Sequence, residues 1–411
     1  MPICSEAAFL TSYPVPPSSP RQTRSSAPTP PRVALLVETS NAFARGLLVG
    51  IEDFIRANGP WDVYLAEHGR GDRPPPWLAQ WEGDGIIARV ETEQIASALT
   101  SSRLPAVDLS SYGLLPGSPV VTTDNDAIAQ AAFEHFVERG FRRFGYCGDS
   151  RFPWSVARGS KFAALARAGG FRFDQYPEQP RQQTEGDPEP DAIARWLGTL
   201  SLPVAVFACY DARGQQVLSA CRRAGLAVPE QVAVLGVDND EILCALSPPP
   251  LSSVAPNTHR AGWLAAELLA RQLAGEEIPR STIHLVPPVG VFTRQSSDTL
   301  SIDDPQIASA LRYIRQHACD NIRVDDVLAH TPMARRTLEQ RMKSLIGRSP
   351  HEEIRRVQLN RARELLSGSK LSVSEIALRC GFDHTEYFTV AFKREHGIAP
   401  NAYRRANAPA R

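Results

Sequence analysis

The stretch from Ser372 to Arg404 constrains the fold more than any other part of the chain. Ser372 and Glu375 have the spacing of a capping box, in which two side chains bind the backbone N–H groups at a helix start. Gly381 and Gly397 stand where left-handed turns commonly end helices. The pattern predicts two short helices joined by a tight turn, a helix-turn-helix that presents its second helix to the DNA major groove.

The same stretch resembles the C-terminal signature of AraC/XylS-family transcription regulators. The residues that carry the resemblance are Ile376-Ala377, Gly381-Phe382, Tyr387-Phe388, Phe392-Lys393, Gly397, Pro400 and Tyr403-Arg404. A first helix-turn-helix unit precedes it, with a leading helix over 324–329, a turn over 331–333 and a second helix over 334–346. Pro332 and Ala334 depart from the family pattern, which commonly has Gly and Ser there, but proline fits a turn or a first helical turn.

Charge separates this C-terminal part from the rest of the chain. The formal net charge is +0, yet residues 301–411 contain 19 basic and 13 acidic side chains, and the preceding 300 residues contain 26 and 32. A basic end on a mildly acidic body indicates a nucleic-acid-binding module attached to another domain. The length of 411 residues allows two or three domains.

Cysteine usage and apolar runs indicate the cellular compartment. The seven cysteines form no C-x-x-C pair and mostly lie in apolar runs, which predicts reduced core residues rather than disulfides or metal ligands. No apolar run has the length of a membrane span, and the N-terminus lacks the pattern of a secretory signal. We therefore predict a cytoplasmic protein without a membrane association, a metal or a cofactor.

The chain divides into four predicted segments. Residues 1–31 are rich in Pro and Ser and are predicted to form a disordered tail. Over residues 32–295, short Val/Ile/Leu runs alternate with helical patterns, which predicts an α/β domain of two lobes with parallel sheets and a cleft. Residues 296–304 are the predicted linker, and residues 305–408 are the predicted all-α DNA-binding domain with two helix-turn-helix units.

Polar residues that follow the strands are candidates for a ligand site, because ligands bind at the carboxyl ends of strands in open parallel sheets. Carboxylates, amides and guanidinium groups can bind sugar hydroxyls, and aromatic faces can cover the C–H side of a sugar ring. The candidate ligand-binding residues are Ser40, Asn41, Phe43, Asp124, Trp154, Arg158, Asp211, Arg213, Asp238 and Asn239. The alternative for about half of these positions is a helix N-cap, a role that Asp, Ser and Asn favour.

This segment resembles the periplasmic-binding-protein-like sensor of LacI-type regulators. The matching places are Arg45-Gly46 with Gly50-Ile51, Thr123-Asp124-Asn125, Arg158 with Phe162, Asp211-Ala212 and Gly236-Val237-Asp238-Asn239. The arrangement of a LacI-type sensor domain followed by an AraC-type DNA-binding domain is similar to that of regulators of xylose operons. This resemblance implies a monosaccharide effector, with D-xylose as a candidate. The resemblance also implies double-stranded operator DNA and RNA polymerase as partners. It implies a homodimer as well, for which the apolar helix from Phe43 to Asn58 is a candidate contact.

Residues opposite the buried face of the second helix in each unit are predicted to face DNA. These candidates are Arg335, Arg336, Glu339, Gln340, Lys343, Thr385, Glu386, Thr389, Val390, Lys393 and Arg394. Arg, Gln and Glu can bind base edges, and Thr or Val can contact the thymine methyl group. Lys343, Lys393 and Arg394 are the predicted phosphate contacts, which position a protein on DNA without reading its sequence.

The preferred interpretation is a sugar-responsive transcription activator of a sugar catabolic operon, with no catalytic residue. Sugar binding in the cleft would reorient the helix-turn-helix modules of a dimer on operator DNA. One alternative is a repressor that responds to another monosaccharide. A second is an α/β enzyme acting on a sugar, although the sequence contains no P-loop, GxSxG, HExxH or GxGxxG motif. A third is a module that binds a metabolite without reading DNA, which the two helix-turn-helix units disfavour.

Overall fold

The computed structural model describes residues 29–67, 69, 72–177, 189–279, 282–299, 304–369 and 371–407. Nearly all of the tail predicted over residues 1–31 lies outside this described part. From Pro31 onward the chain forms a two-lobed α/β domain followed by a helical domain.

The α/β domain contains two six-stranded sheets, one in each lobe. The strands are β1 (Arg32–Leu36), β2 (Asp62–Leu65), β3 (Gly85–Ala88), β4 (Ala106–Asp108), β5 (Val120–Thr123), β6 (Arg143–Cys147), β7 (Arg172–Gln175), β8 (Val204–Ala208), β9 (Val232–Val237), β10 (Ser252–Ala255), β11 (Ile283–Val286) and β12 (Gly290–Phe292). The strand order is β11-β5-β4-β3-β1-β2 in the first lobe and β12-β10-β9-β8-β6-β7 in the second. The described pairings are parallel except that of β10 with β12. The predicted two-lobed domain with parallel sheets is thereby confirmed.

Helices cover both sheets, and the chain crosses between the lobes after β5, β10 and β11. The helices are α1 (Ala42–Asn58), α2 (Glu93–Ser102), α3 (Asn125–Val137), α4 (Pro153–Ala168), α5 (Glu189–Leu197), α6 (Asp211–Arg223), α7 (Glu241–Leu246) and α8 (Thr258–Leu273), with 3-10 turns at Pro76–Gln80 and Gln295–Ser297. Segments that cross between two lobes form the kind of hinge about which lobes close on a ligand.

Helix α1 packs along α8 at close range within the first lobe. A Cβ atom on Gly50 would lie 2.0 Å from the carbonyl oxygen of His259, and one on Gly262 would lie 1.9 Å from that of Leu47. Glycine is therefore required at both positions, and Leu47 and Ile51 of α1 are buried in the same core as residues of α8. The apolar face of the helix predicted over 43–58 is thus occupied within the protomer, so it provides no support for a dimer contact.

The helical domain consists of two small cores joined by one long helix. Its helices are α9 (Pro305–His317), α10 (Val324–His330), α11 (Arg335–Ile346), α12 (Pro350–Gly368), α13 (Val373–Arg379), α14 (Thr385–His396) and α15 (Pro400–Asn407), with a 3-10 turn at Ala318–Asp320. Leu338 and Met342 of α11 lie in the first core, and Phe388 and Phe392 of α14 lie in the second. Because α12 contributes residues to both cores, it fixes the spacing of the two helix-turn-helix units.

The predicted local signals of the second unit are confirmed. The backbone N–H of Glu375 donates to Ser372 Oγ at 3.1 Å, and the N–H of Ser372 donates to the Glu375 carboxylate at 2.7 Å. Gly381 and Gly397 follow their helices with φ values of 76° and 77°, a left-handed conformation that favours glycine. The turn between α13 and α14 is therefore built as the sequence indicates.

The structure also contains elements that the sequence pattern did not mark. These are the strands β7, β10, β11 and β12 and the short helices α7 and α15. Ser296, at the start of the predicted linker, is fully buried, and its hydroxyl donates to the carbonyl of Val234 at 2.7 Å. Residues 296–297 therefore pack with the second lobe, while residues 300–303 of that linker lie outside the described part.

Candidate functional site

A cleft lies between the two lobes at the carboxyl ends of their strands. From the first lobe it is lined by Phe43, Arg89, Glu91, Leu109, Ser110, Ser111, Thr122 and Thr123, and from the second lobe by Trp154, Arg158 and Asp238. The lining combines aromatic rings with carboxylates, guanidinium groups and hydroxyls. Such a mixture of apolar surface with a few convergent polar groups is typical of a site for a small polar molecule.

Trp154 and Arg158 form the second-lobe wall of the cleft. The Arg158 guanidinium lies 4.8 Å from the centroid of the Trp154 ring, which stacks on Phe152 at 4.9 Å. Arg158 Nε donates to Asn125 Oδ1 at 2.9 Å, and its Nη1 donates to the carbonyl of Cys209 at 2.6 Å. Burial lowers the pKa of Arg158, and the nearby Asp238 carboxylate opposes that effect. The side chain is therefore held rigidly, which pre-organises it for a ligand.

Arg89 organises the first-lobe wall. Its guanidinium donates to the Glu38 carboxylate at 2.7 Å, contacts Glu91 and lies 5.1 Å from the centroid of the Phe43 ring. Arg89, Glu38 and Glu91 are all buried, so this pairing is shielded from solvent and keeps Phe43 in place. The first lobe thus also presents one aromatic ring beside charged groups.

The loop after β9 carries Asp238 in an uncommon backbone conformation. Asp238 and Asn239 have φ values of 109° and 50°, which few non-glycine residues adopt. Asp211 supports the loop from behind, because its carboxylate accepts from the Asp240 N–H at 2.8 Å and from the Ser253 hydroxyl at 2.6 Å. Burial, followed by the proximity of Asp238, raises the pKa of Asp211 to about 8. Strained backbone held by its surroundings is common at ligand sites.

The first helix-turn-helix unit presents a polar groove along α11. Arg336, Glu339, Gln340 and Lys343 line this groove, opposite the buried Leu338 and Met342. Positions three and four apart share one helical face, so these four side chains can approach DNA together. Arg335 lies beside them and pairs with Glu339 and with Asp325, each at 3.2 Å.

The second unit presents α14 in a similar way, with its aromatic side chains buried on the other face. Glu386, Val390, Lys393 and Arg394 are exposed, and the Val390 side chain is 66% exposed. The Thr389 hydroxyl donates to the carbonyl of Thr385 at 2.8 Å, so its proton is used within the helix. The predicted DNA-facing residues therefore lie on open faces of both second helices.

Three family models match separate parts of the chain. A periplasmic binding protein-like domain model matches residues 133–297, a helix-turn-helix domain model matches 327–406, and the model of the XylR N-terminal domain matches 32–126. The xylose operon regulatory protein of Escherichia coli is 35% identical over 387 residues, which cover 92% of this chain and 97% of that protein. The Haemophilus influenzae protein of the same name is 31% identical, over 91% of this chain and 98% of its own. The solved structure of the xylose-binding transcription activator xylR covers 93% of this chain and 99% of that chain, with a TM-score of 0.60 and 34% identity.

The chain belongs to the family of xylose operon regulatory proteins. As a member of this family it is a sugar-responsive, DNA-binding transcription regulator, as the two resemblances in its sequence implied. None of the helices in the part of the chain that the structure describes is long and apolar enough to cross a bilayer.

The cleft brings together four of the predicted ligand-binding residues, Phe43, Trp154, Arg158 and Asp238. The structure places the other six outside the lining. Asn41 and Asp124 accept from the backbone N–H groups of Ala44 and Ala127 at 2.8 Å and 2.9 Å, as helix N-caps. Ser40 precedes the first of these caps and is exposed.

The remaining three predicted residues make contacts outside the lining of the cleft. Asp211 binds the loop after β9, and Arg213 lies 3.5 Å from the Asp149 carboxylate. Asn239 accepts from Arg294 at 2.8 Å through its side-chain oxygen. The N-cap alternative weighed for these positions therefore describes Asn41 and Asp124, whereas buried supporting contacts describe Asp211 and Arg213.

Arg89 and Glu91 line the cleft but were not among the predicted residues. A signal for them existed in the sequence, because both follow the apolar run of β3, as Asp238 follows that of β9. Arg89 and Glu91 therefore occupy the same kind of position at a strand end as Asp238.

Proposed function

We propose that this regulator is a transcription activator whose effector is D-xylose, bound in the cleft between the lobes. The proposal rests on one observation. Phe43 and Arg89 of the first lobe face Trp154, Arg158 and Asp238 of the second lobe across that cleft. The names of its relatives support the choice of sugar, since two are xylose operon regulatory proteins and one solved relative is a xylose-binding transcription activator.

The chemistry of the lining suits a small neutral polyol. Arg158 and Arg89 can donate paired hydrogen bonds to adjacent hydroxyls, and the Asp238 carboxylate can accept from them. Trp154 and Phe43 offer flat apolar faces to the C–H groups of a sugar ring. A pentose lacks the exocyclic hydroxymethyl group of a hexose, so the lining has to enclose only the ring and its hydroxyls.

Helix α3 provides a route from the cleft to the DNA-binding domain. At its first residue, Asn125 accepts from Arg158 at 2.9 Å. Just beyond its last turn, the Glu138 carboxylate contacts Arg356 of α12, and the Glu138 carbonyl accepts from Arg315 of α9 at 2.9 Å. A helix of this length spans roughly 20 Å. Closure of the cleft on a sugar would therefore displace α3, and with it the two helix-turn-helix units.

Assembly and location complete the proposal. A homodimer would place two DNA-binding domains on two half-sites, with a spacing that cleft closure adjusts. Contact with RNA polymerase would then convert operator binding into activation, in the cytoplasm. In light scattering on operator DNA, a protein mass of about twice the chain's 45.0 kDa, after the mass of the DNA is subtracted, supports this assembly, and a protein mass of one chain contradicts it.

The effector is tested by thermal unfolding of the full chain with a panel of monosaccharides. We expect D-xylose to raise the melting temperature more than D-ribose, L-arabinose or D-glucose at the same concentration. A ligand at one hundred times its Kd stabilises the native state by about 2.7 kcal/mol. A larger rise in melting temperature with another sugar would identify that sugar as the effector in place of D-xylose. No rise with any of these sugars would contradict a sugar site in the cleft.

A further inference from the structure

A second cavity lies between the second lobe and the DNA-binding domain. It is open to solvent and is bordered by α3 and β12 on one side and by α9 and α12 on the other, and its volume is about 710 Å³. This volume falls in the range of roughly 300 to 1,000 Å³ that is usual for small-molecule sites. The cavity is separate from the cleft, because the two share no lining residue.

Arginines dominate the lining of this cavity. Six of them reach it, Arg139, Arg312, Arg315, Arg356, Arg361 and Arg363. Four acidic residues also line it, of which Glu138 contacts Arg356 and Glu134 accepts from Gln130 at 2.7 Å. The lining therefore carries an excess of positive charge in a space that lies between two domains.

Arg139 lies deepest in this cluster and is buried without a direct carboxylate contact among its described hydrogen bonds. These go to the carbonyls of Ser297 and His135 and to the hydroxyl of Thr293, at 2.9, 3.0 and 3.1 Å. Burial, followed by repulsion from Arg315, lowers the pKa of Arg139 to about 9. A guanidinium held this way creates a positive potential, and an anion that binds beside it is stabilised by that potential.

We propose that this cavity binds a small phosphate ester and acts as a second effector site of the regulator. Several guanidinium groups that converge on one space match phosphate oxygens, which arginine binds through paired hydrogen bonds. The acidic residues at the edge, such as Glu134 and Glu230, can accept from hydroxyls of the organic part. The proposal does not depend on the identity of the sugar in the cleft.

The position of the cavity determines its effect. A ligand that contacts α3 of the sensor and α12 of the DNA-binding domain binds best to one relative placement of the two domains. It therefore shifts the population toward that placement, and with it the affinity for operator DNA. A phosphorylated metabolite would thus report a second metabolic signal at the junction through which the sugar acts.

Arg312 is the residue of choice for the test. It is exposed at the edge of the cavity and makes no hydrogen bond or ion pair with the described part of the chain, so its loss leaves the fold intact. The probe is inorganic pyrophosphate, titrated calorimetrically into the full chain at constant ionic strength without divalent cations. We expect saturable binding to the wild-type chain that Arg312→Ala weakens roughly 10- to 150-fold, the range expected for losing one charge-assisted hydrogen bond.

Two further variants separate a specific contact from general charge. Arg195→Ala removes an arginine on α5 that is also exposed and lies away from the cavity, and it should bind pyrophosphate as the wild type does. Arg312→Lys should recover part of the affinity, because it restores the charge without the guanidinium geometry. Equal weakening by Arg312→Ala and Arg195→Ala, or no saturable binding to the wild type, would overturn the site.

The last experiment measures the affinity of the same variants for operator DNA. Without pyrophosphate, Arg312→Ala should bind operator DNA as Arg195→Ala does, whereas a selective loss would assign Arg312 to the DNA backbone and overturn the proposal. With pyrophosphate, operator affinity should change in the wild type and remain constant in Arg312→Ala. An unchanged wild-type affinity would contradict the role as an effector. Calorimetry with D-xylose, run in parallel, tests the cleft independently of these outcomes.

Discussion

Asp238→Ala is expected to weaken D-xylose binding roughly a hundredfold, because a carboxylate that binds sugar hydroxyls contributes about 1.5–3 kcal/mol for each charged hydrogen bond. Asp238 lines the cleft beside Arg158. It directly follows the carboxyl end of β9 and has a positive φ of 109°. Calorimetric titration of the full chain measures the effect. Circular dichroism establishes that the variant retains its fold.

Two variants control this experiment. Asp174→Ala removes an exposed carboxylate of the same lobe from β7, outside the cleft, and should bind D-xylose as the wild type does. Asp238→Asn keeps the side-chain shape and tolerates the left-handed backbone, so we expect a smaller loss, about tenfold. If Asp238→Ala and Asp174→Ala bound the sugar equally well, Asp238 would not be part of the site.

Arg336→Ala is expected to weaken operator binding by about 1–3 kcal/mol, or roughly 5- to 150-fold. Arg336 is exposed in the polar groove of α11, with Glu339, Gln340 and Lys343 on the same face. In the absence of DNA, the affinity for D-xylose should not change, because α11 contributes nothing to the cleft. Gel-shift titration against the operator and against unrelated DNA gives both the affinity and the specificity ratio.

The matched control lies on the same helix. Arg341 also belongs to α11, but it points away from the groove and pairs with Asp304 at 3.0 Å. Arg341→Ala therefore makes the same change in charge and helix propensity, and should alter operator affinity less than about threefold, since half-exposed ion pairs contribute little. If Arg336→Ala had no larger effect than Arg341→Ala, α11 would not read the operator through this face.

Much of the architecture could be predicted from the sequence because it rests on local signals. The capping box of Ser372 and Glu375 and the turn at Gly381 depend on residues only a few positions apart. Alternation of apolar runs with helical patterns was enough to identify two sheets in two lobes. Short elements such as β12 and α7 gave no such signal, because three to six residues do not establish a period.

The cleft was harder to predict, because the ends of strands carry both residues that line the cleft and residues that only support the fold. Asp124 and Asp238 each directly follow a strand, but the first caps α3 and the second lines the cleft. The difference arises from the path of the backbone after the strand, which Asp238 continues in a left-handed conformation. Neither that conformation nor the supporting bonds of Asp211 can be inferred from residue types alone.

The junction between the sensor and the DNA-binding domain was not foreseen at all. Glu138, Arg315 and Arg356 are separated by long stretches of sequence, and their contacts form only when α3 meets α9 and α12. Each would be read in the sequence as an ordinary surface charge on an amphipathic helix. Only the packed structure shows that they join the second lobe to the DNA-binding domain.

The central claim is that sugar in the cleft controls DNA binding at the other end of the chain. The measurement that tests it most directly is the Kd of D-xylose for the full chain, determined with and without saturating operator DNA. Coupling of this kind is reciprocal and is usually worth about 5- to 150-fold. We predict that operator DNA tightens D-xylose binding by the same factor by which D-xylose tightens operator binding. Equal values of the Kd with and without operator DNA would show that the two domains are not coupled, and would contradict the account.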